Sequence, residues 1–114
     1  MSFTILSLAL VIAVSRRNGI AWDAVIACEM LRVYKTRPEA YQRAAELLQT
    51  PPSQILMVAC HNFDLDAARA ESYRTAFIRR PDEWGPAGPP DPTPNPECDI
   101  VVDGFAELAD RLGA

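Results

Sequence analysis

A single histidine, His61, is all the imidazole these 114 residues hold. No site of the usual multi-histidine kind can be built from it. Cysteine is scarce too: Cys28, Cys60 and Cys98 stand far apart, with no CxxC pair. An odd number without close spacing fits a reducing compartment, and so a cytoplasmic location, better than a disulfide framework. The two shortages together predict neither a structural nor a catalytic zinc; no metal or cofactor is expected. Basic charge is also short. Eleven Lys and Arg against fifteen Asp and Glu leave a net charge of -4 and a pI near 4.9. The arginines come in scattered pairs, Arg16-Arg17 and Arg79-Arg80. A nucleic-acid partner, which calls for a basic face, is therefore not expected.

One long hydrophobic run exists, Phe3 to Val14 ("FTILSLALVIAV"), and no Lys or Arg precedes it. The basic n-region of a secretory signal is thus missing. A bilayer span takes about 20 residues, so the run is too short for one, and no membrane partner is expected. A buried strand leading into a buried helix explains it. The remaining composition, 49% hydrophobic and 23% charged, is that of a soluble globular protein. The length sets a limit of one small domain.

Alternation of strands and helices is what the chain does contain. Ser7 to Arg17 reads as a helix stopped by Asn18-Gly19. Trp22 to Ala27 reads as a short strand. Pro38 opens a helix whose apolar face is Tyr41, Ala44, Ala45 and Leu48, at i, i+3, i+4 and i+7. Pro51-Pro52 ends it. Ile55 to Ala59 is a continuous apolar run, as in a strand covered on both faces. Asp64 is placed to cap the next helix, Leu65 to about Ser72. Thr75 to Ile78 is a further strand. Strand, helix and strand in so few residues predict a βαβ crossover and a parallel sheet. Pro81 to Pro96 holds seven of the ten prolines and reads as an extended loop. Ile100 to Val102 is the last strand. Phe105, Leu108, Ala109 and Leu112 give the stripe of a final helix. No internal repeat is present.

The end of the run Ile55 to Ala59 collects Cys60, His61, Asn62 and Asp64. Open α/β sheets place their chemistry at the carboxyl ends of strands. Each residue also has a plainer role. Cys60 can be a small hydrophobe, His61 an ordinary loop histidine, and Asp64 a helix cap. Lys35 can be a solvated lysine and Tyr41 a core aromatic.

Several stretches point to one family. "YKTRPEAY" (Tyr34 to Tyr41) resembles the "YKPxPExY" segment of haloacid dehalogenase-type hydrolases. "MVACHNFDLDAARA", "RTAFIRRP" and "EWGP" resemble that superfamily's fourth motif and the region just beyond it. "CDIVVDGFAELADRLGA" resembles its C-terminus, and "GIAWDAVIACEMLRVYK" the stretch between its second and third motifs. The likeness is closest to the type II (L-2-haloacid) dehalogenases. It implies a partial Rossmann-like α/β core, a parallel sheet with flanking helices, spanning residues 1–114 from the second to the fourth motif.

That resemblance also implies a mechanism. An aspartate attacks the carbon bearing the halogen, an ester forms on the enzyme, and water cleaves it. Lys35 matches the third-motif lysine that balances the charge of nucleophile and substrate carboxylate. Tyr41 matches the helix tyrosine facing the site, and Asp64 the fourth-motif carboxylate. His61 sits where this branch has Asn or His. Cys60 sits where relatives carry a hydroxyl residue, and Asn62 lies beside it in a supporting position. Lys35, His61 and Asp64 are the catalytic candidates. The substrate implied is a small 2-haloacid or related carboxylate.

The chain departs from the family at several points. The strand ending "DxDxT", which carries the nucleophile, is not found, nor is the helical cap domain. Asp64-Leu65-Asp66 has the D-x-D spacing but belongs to the fourth motif. For the second-motif hydroxyl only Thr4 or Ser7 can stand in. Ser72 replaces a glycine at a helix end. Phosphatases of the superfamily carry a second acid four residues before the one at Asp64, and here that position is Cys60, a poor magnesium ligand. The expectation is a dehalogenase-like chain that is inactive alone. Two alternatives stand: a non-catalytic module self-associating through an exposed sheet edge, and a phosphatase-like member of the superfamily.

Overall fold

The computed structural model describes residues 1–89 and 93–113. The chain forms two compact units, Met1–Thr50 and Pro51–Ala114.

In the first unit, β1 (Ser2–Thr4) pairs in parallel with β2 (Val25–Ala27), Ser2 opposite Val25. Parallel strands need a crossover, and α1 (Leu8–Arg17) supplies it. The Ser7 hydroxyl caps α1 by accepting from the Leu10 N–H at 3.2 Å. Asn18 closes the helix and Gly19 takes the left-handed turn, as the sequence predicts. The strand expected from Trp22 is shorter than predicted: Val25–Ala27 is extended, and Cys28–Leu31 winds into a single helical turn, α2. The Arg43 guanidinium donates to the Leu31 carbonyl at 2.5 Å and ties α2 to α3 (Pro38–Leu48). Pro38 stands at the first turn of α3, which buries Ala40, Tyr41, Ala44 and Ala45. The buried helix expected within Phe3 to Val14 needs correcting. Only Val11 and Ser15 of α1 are buried, while Leu10, Ile12 and Val14 are exposed. A sequence apolar all round gives no face preference, and a helix against a two-stranded sheet covers only one side.

The second unit holds a three-stranded parallel sheet in the order β3-β4-β5: β3 (Leu56–Ala59), β4 (Arg74–Ile78) and β5 (Ile100–Val102). Val58 pairs with Ala76, and Ala76 with Ile100. The predicted crossover is α4 (Asn62–Ala70), between β3 and β4. β4 is the covered strand, with Thr75, Ala76, Phe77 and Ile78 all buried. β3, expected to be covered on both faces, buries only Met57, because it is an edge of this sheet. Ala76, Ile78, Val102 and Leu108 form a core cluster against which Leu56, Val58 and Ile100 pack. Ser72 adopts a left-handed φ of 71°, the conformation that favours glycine there.

The Pro81 to Pro96 segment is a loop as predicted, with one short 3-10 turn at Gly85–Ala87; residues 90–92 lie outside the described part. The last helix is α5 (Phe105–Arg111). Of its predicted stripe only Leu108 is buried, and Phe105 and Leu112 are exposed. Among the described residues no helix is long and apolar enough to cross a membrane.

Candidate active site

In the second unit the site grows from the end of β3. Cys60 follows the strand, and His61, not Asp64, is the residue that begins α4. Asp64 lies one turn inside, buried at 8% exposure. The helix is longer at its start than the sequence suggests, so the carboxylate stands among the first-turn N–H groups, where negative charge is favoured. Asn62 is buried, and its amide is committed on both sides. Its Nδ2 donates to the Thr93 carbonyl at 2.7 Å, and its Oδ1 accepts from the Asn95 N–H at 2.8 Å. The far end of the long loop is thereby fastened to the start of α4. Asn95 Nδ2 adds a bond of 3.0 Å to Asp66, which pairs with Arg69.

The near end of that loop closes over Cys60 and His61. The Cys60 thiol donates to Glu83 Oε2 at 2.8 Å. His61 Nε2 stands 3.3 Å from the same oxygen. Nε2 is enclosed, and among the described residues it has no well-aligned hydrogen-bond partner. The His61 ring stacks on Phe63 at 5.1 Å and meets the edge of Trp84 at 5.8 Å. Burial first, and then the Glu83 carboxylate, push the Cys60 thiol up to about 11. Glu83 is held below the usual carboxylate range, mainly by the bond from Cys60. A thiol so placed keeps its proton at neutral pH and is a poor nucleophile. Beside it opens a cavity of about 340 Å³ lined by Cys60, Phe77, Arg79, Arg80, Glu83 and Trp84, among others. Arg79 there is paired with Asp103, another lining residue, at 3.2 Å, and Arg80 on the apolar wall suits a small carboxylate.

In the first unit, Lys35 Nζ lies 4.4 Å above the Phe3 ring, which meets the buried Tyr41 edge-on at 5.8 Å. A cation over an aromatic face is attracted by the ring's electrons. Lys35 is the only lysine in the sequence. The two second-motif candidates serve the backbone beside β1: Thr4 Oγ1 accepts from the Leu6 N–H at 3.1 Å, and Ser7 caps α1.

The predicted residues thus gather as two groups. Lys35, Tyr41, Thr4 and Ser7 belong to the first unit, and Cys60, His61, Asn62 and Asp64 to the second. Glu83 and Trp84 escape sequence reasoning as site residues. They lie in the "EWGP" stretch, but a carboxylate 23 residues from Cys60 within a proline-rich loop has no periodicity that would link the two. Among the described residues, Cys60, His61 and Glu83 also form a group able to hold a metal. Their donor atoms all lie within 4.8 Å of one another, a convergence that counting histidines could not reveal.

No family model matches the chain. The (S)-2-haloacid dehalogenase of Xanthobacter autotrophicus is 32% identical over 60 residues, 53% of this chain and 24% of that protein. An enolase-phosphatase of Streptomyces avermitilis is 43% identical over 49 residues, 43% of this chain and 20% of that protein. A crystal structure of an L-2-haloacid dehalogenase superposes with a TM-score of 0.93 at 34% identity, covering 96% of this chain and 48% of that one. The chain therefore spans less than half the length of each of these relatives.

Proposed function

We propose that this chain, which carries part of a haloacid dehalogenase-type core, contributes to hydrolysis of the carbon–halogen bond of small 2-haloacids. The observation that supports this reading most is the 34% identity sustained over 96% of the chain with an L-2-haloacid dehalogenase. In the reaction an aspartate carboxylate displaces halide and leaves an ester. Water then hydrolyses the ester to the 2-hydroxy acid, returning the carboxylate and releasing a proton. Lys35 balances the negative charge of nucleophile and substrate. Asp64 and His61 act from the start of α4, Tyr41 acts from α3, and Arg80 attracts the substrate carboxylate. No residue of the chain matches the nucleophile, so the chain alone does not turn over.

The test is halide release from L-2-chloropropionate. The chain alone should give none. Addition of the N-terminal half of an L-2-haloacid dehalogenase, carrying the "DxDxT" strand, should restore release, and Lys35→Ala in this chain should abolish it. Turnover by the chain alone, lost in Asp64→Asn, would overturn the assignment of the missing nucleophile. The likeness to an enolase-phosphatase keeps a magnesium-dependent reading in view. Cys60 at the position of the second acid speaks against it, since magnesium takes hard oxygen ligands. Millimolar magnesium should leave the melting temperature unchanged; an upward shift lost in Asp64→Ala would favour the phosphatase.

A further inference from the structure

We propose that Cys60, His61 and Glu83 form a three-ligand site for zinc or a similar divalent transition metal, with a fourth position open to the cavity beside Arg79 and Arg80. The donor set is a thiolate, an imidazole and a carboxylate, the mixture that borderline-soft Zn²⁺ takes and that magnesium does not. Three protein ligands plus one exchangeable position is the pattern of an open zinc site.

The geometry comes close to what the metal needs. Bond lengths of about 2.3 Å to sulfur and about 2.0 Å to nitrogen and oxygen, at tetrahedral angles, place N and O about 3.3 Å apart and S and O about 3.5 Å apart. His61 Nε2 and Glu83 Oε2 are 3.3 Å apart, and Cys60 Sγ and Glu83 Oε2 are 2.8 Å apart. The thiol–carboxylate gap must widen by less than 1 Å, and that gap holds the proton that metal binding expels; the thiol and imidazole donors, which lie within 4.8 Å of one another, must settle at about 3.5 Å. A second observation points the same way. Nε2 of His61 is shut off from solvent and, among the described residues, has no well-aligned hydrogen-bond partner, although it faces a carboxylate. A metal would satisfy it.

Charge decides the fourth ligand. Thiolate and carboxylate together neutralise a divalent ion, so the two arginines lining the same cavity repel it little. Arg79 is paired with Asp103, which lines the cavity too, at 3.2 Å, and Arg80 attracts an anion to the open position, whether hydroxide or a small carboxylate. Zinc there would occupy His61, to which the dehalogenase reading gives a role, so metal binding is measured on the chain without substrate, where its outcome is read apart from that reading.

Cobalt(II) is the probe, because a cobalt–thiolate bond gives a charge-transfer absorption band. Titrated into the metal-free full chain without oxygen, it should produce that band with one-to-one stoichiometry, and zinc should displace it. Cys60→Ala should remove the band, while Cys28→Ala and Cys98→Ala should keep it. Glu83→Gln lies on an exposed loop and should weaken zinc binding roughly tenfold or more without moving the metal-free melting curve. His61→Ala should weaken binding similarly, with circular dichroism checking its fold. No band with the unmodified chain, a band that survives Cys60→Ala, or unchanged binding by folded Glu83→Gln would overturn the proposal.

Discussion

The two units are built alike, from parallel strands joined by helical crossovers, yet they differ in how well they cover themselves. In the second, β4 has a strand on each side and buries four consecutive residues, Thr75 to Ile78. In the first, two strands make the whole sheet, and α1 leaves Leu10, Ile12 and Val14 in solvent. One added strand turns an edge into a centre, and centrality sets burial more than residue hydrophobicity does. Leu10 and Ile12 are as apolar as anything in β4 and remain exposed. An exposed apolar side chain contributes little to stability, so cost of truncation is where the contrast should be measured.

The largest effect should come from truncating the second unit's core. Leu65 is fully buried on α4, and Leu65→Ala should cost about 2–5 kcal/mol. Ile12→Ser, on the exposed side of α1, should stay within about 0.5 kcal/mol. Urea midpoints of both variants check this, and comparable losses would break the comparison.

A smaller, pH-dependent effect should belong to the second unit. The Arg74 guanidinium, followed by the Thr75 N–H, holds Asp99 below its ordinary value of 3.8. A carboxylate whose folded value is the lower one stabilises the fold above its unfolded value. That contribution is lost as pH falls through the folded value. The second unit should therefore weaken below about pH 4. Asp99→Asn should flatten that slope, read from Trp84 fluorescence in a Trp22→Phe background. An unchanged slope would mean that other carboxylates carry the acid sensitivity.

The smallest effect sharpens the comparison, because both units share its cause. Ser72 in the second unit and Gln49 in the first hold left-handed φ values of 71° and 50°. Replacing either by glycine should raise stability by about 0.5–1 kcal/mol, the cost of that conformation less glycine's extra entropy. Thermal melts of the two variants should agree; a gain at only one would show that the other turn is held by its surroundings.

Much of the fold was legible in the sequence. Pro38 marked the first turn of α3, Asn18-Gly19 marked the stop of α1, and the apolar stretches gave β3, β4 and β5 in parallel. These signals are local, so they survive in any context. Burial was less legible. The Phe105, Leu108, Ala109 and Leu112 stripe has correct helical spacing, but spacing states which residues share a face, not whether another element covers it. The start of α4 was misplaced because aspartate is a strong capping residue, and His61 begins the helix with no capping bond. The family likeness named site candidates one residue at a time. The link from Cys60 and His61 to Glu83 was not, since it depends on how a proline-rich loop returns to the strand ends.

Asn62 gives that loop a property usually reserved for sheets. By donating to one backbone carbonyl and accepting from a backbone N–H two residues on, its side chain imitates a neighbouring strand. The Asn95 amide hydrogen, in a stretch crowded with prolines, should therefore exchange with deuterium slowly, on the schedule of α4 and not of its own segment. The loop's far end then keeps time with the helix, and the amide exchange rates of Thr93, Asn95 and Glu97 should rise together in Asn62→Ala.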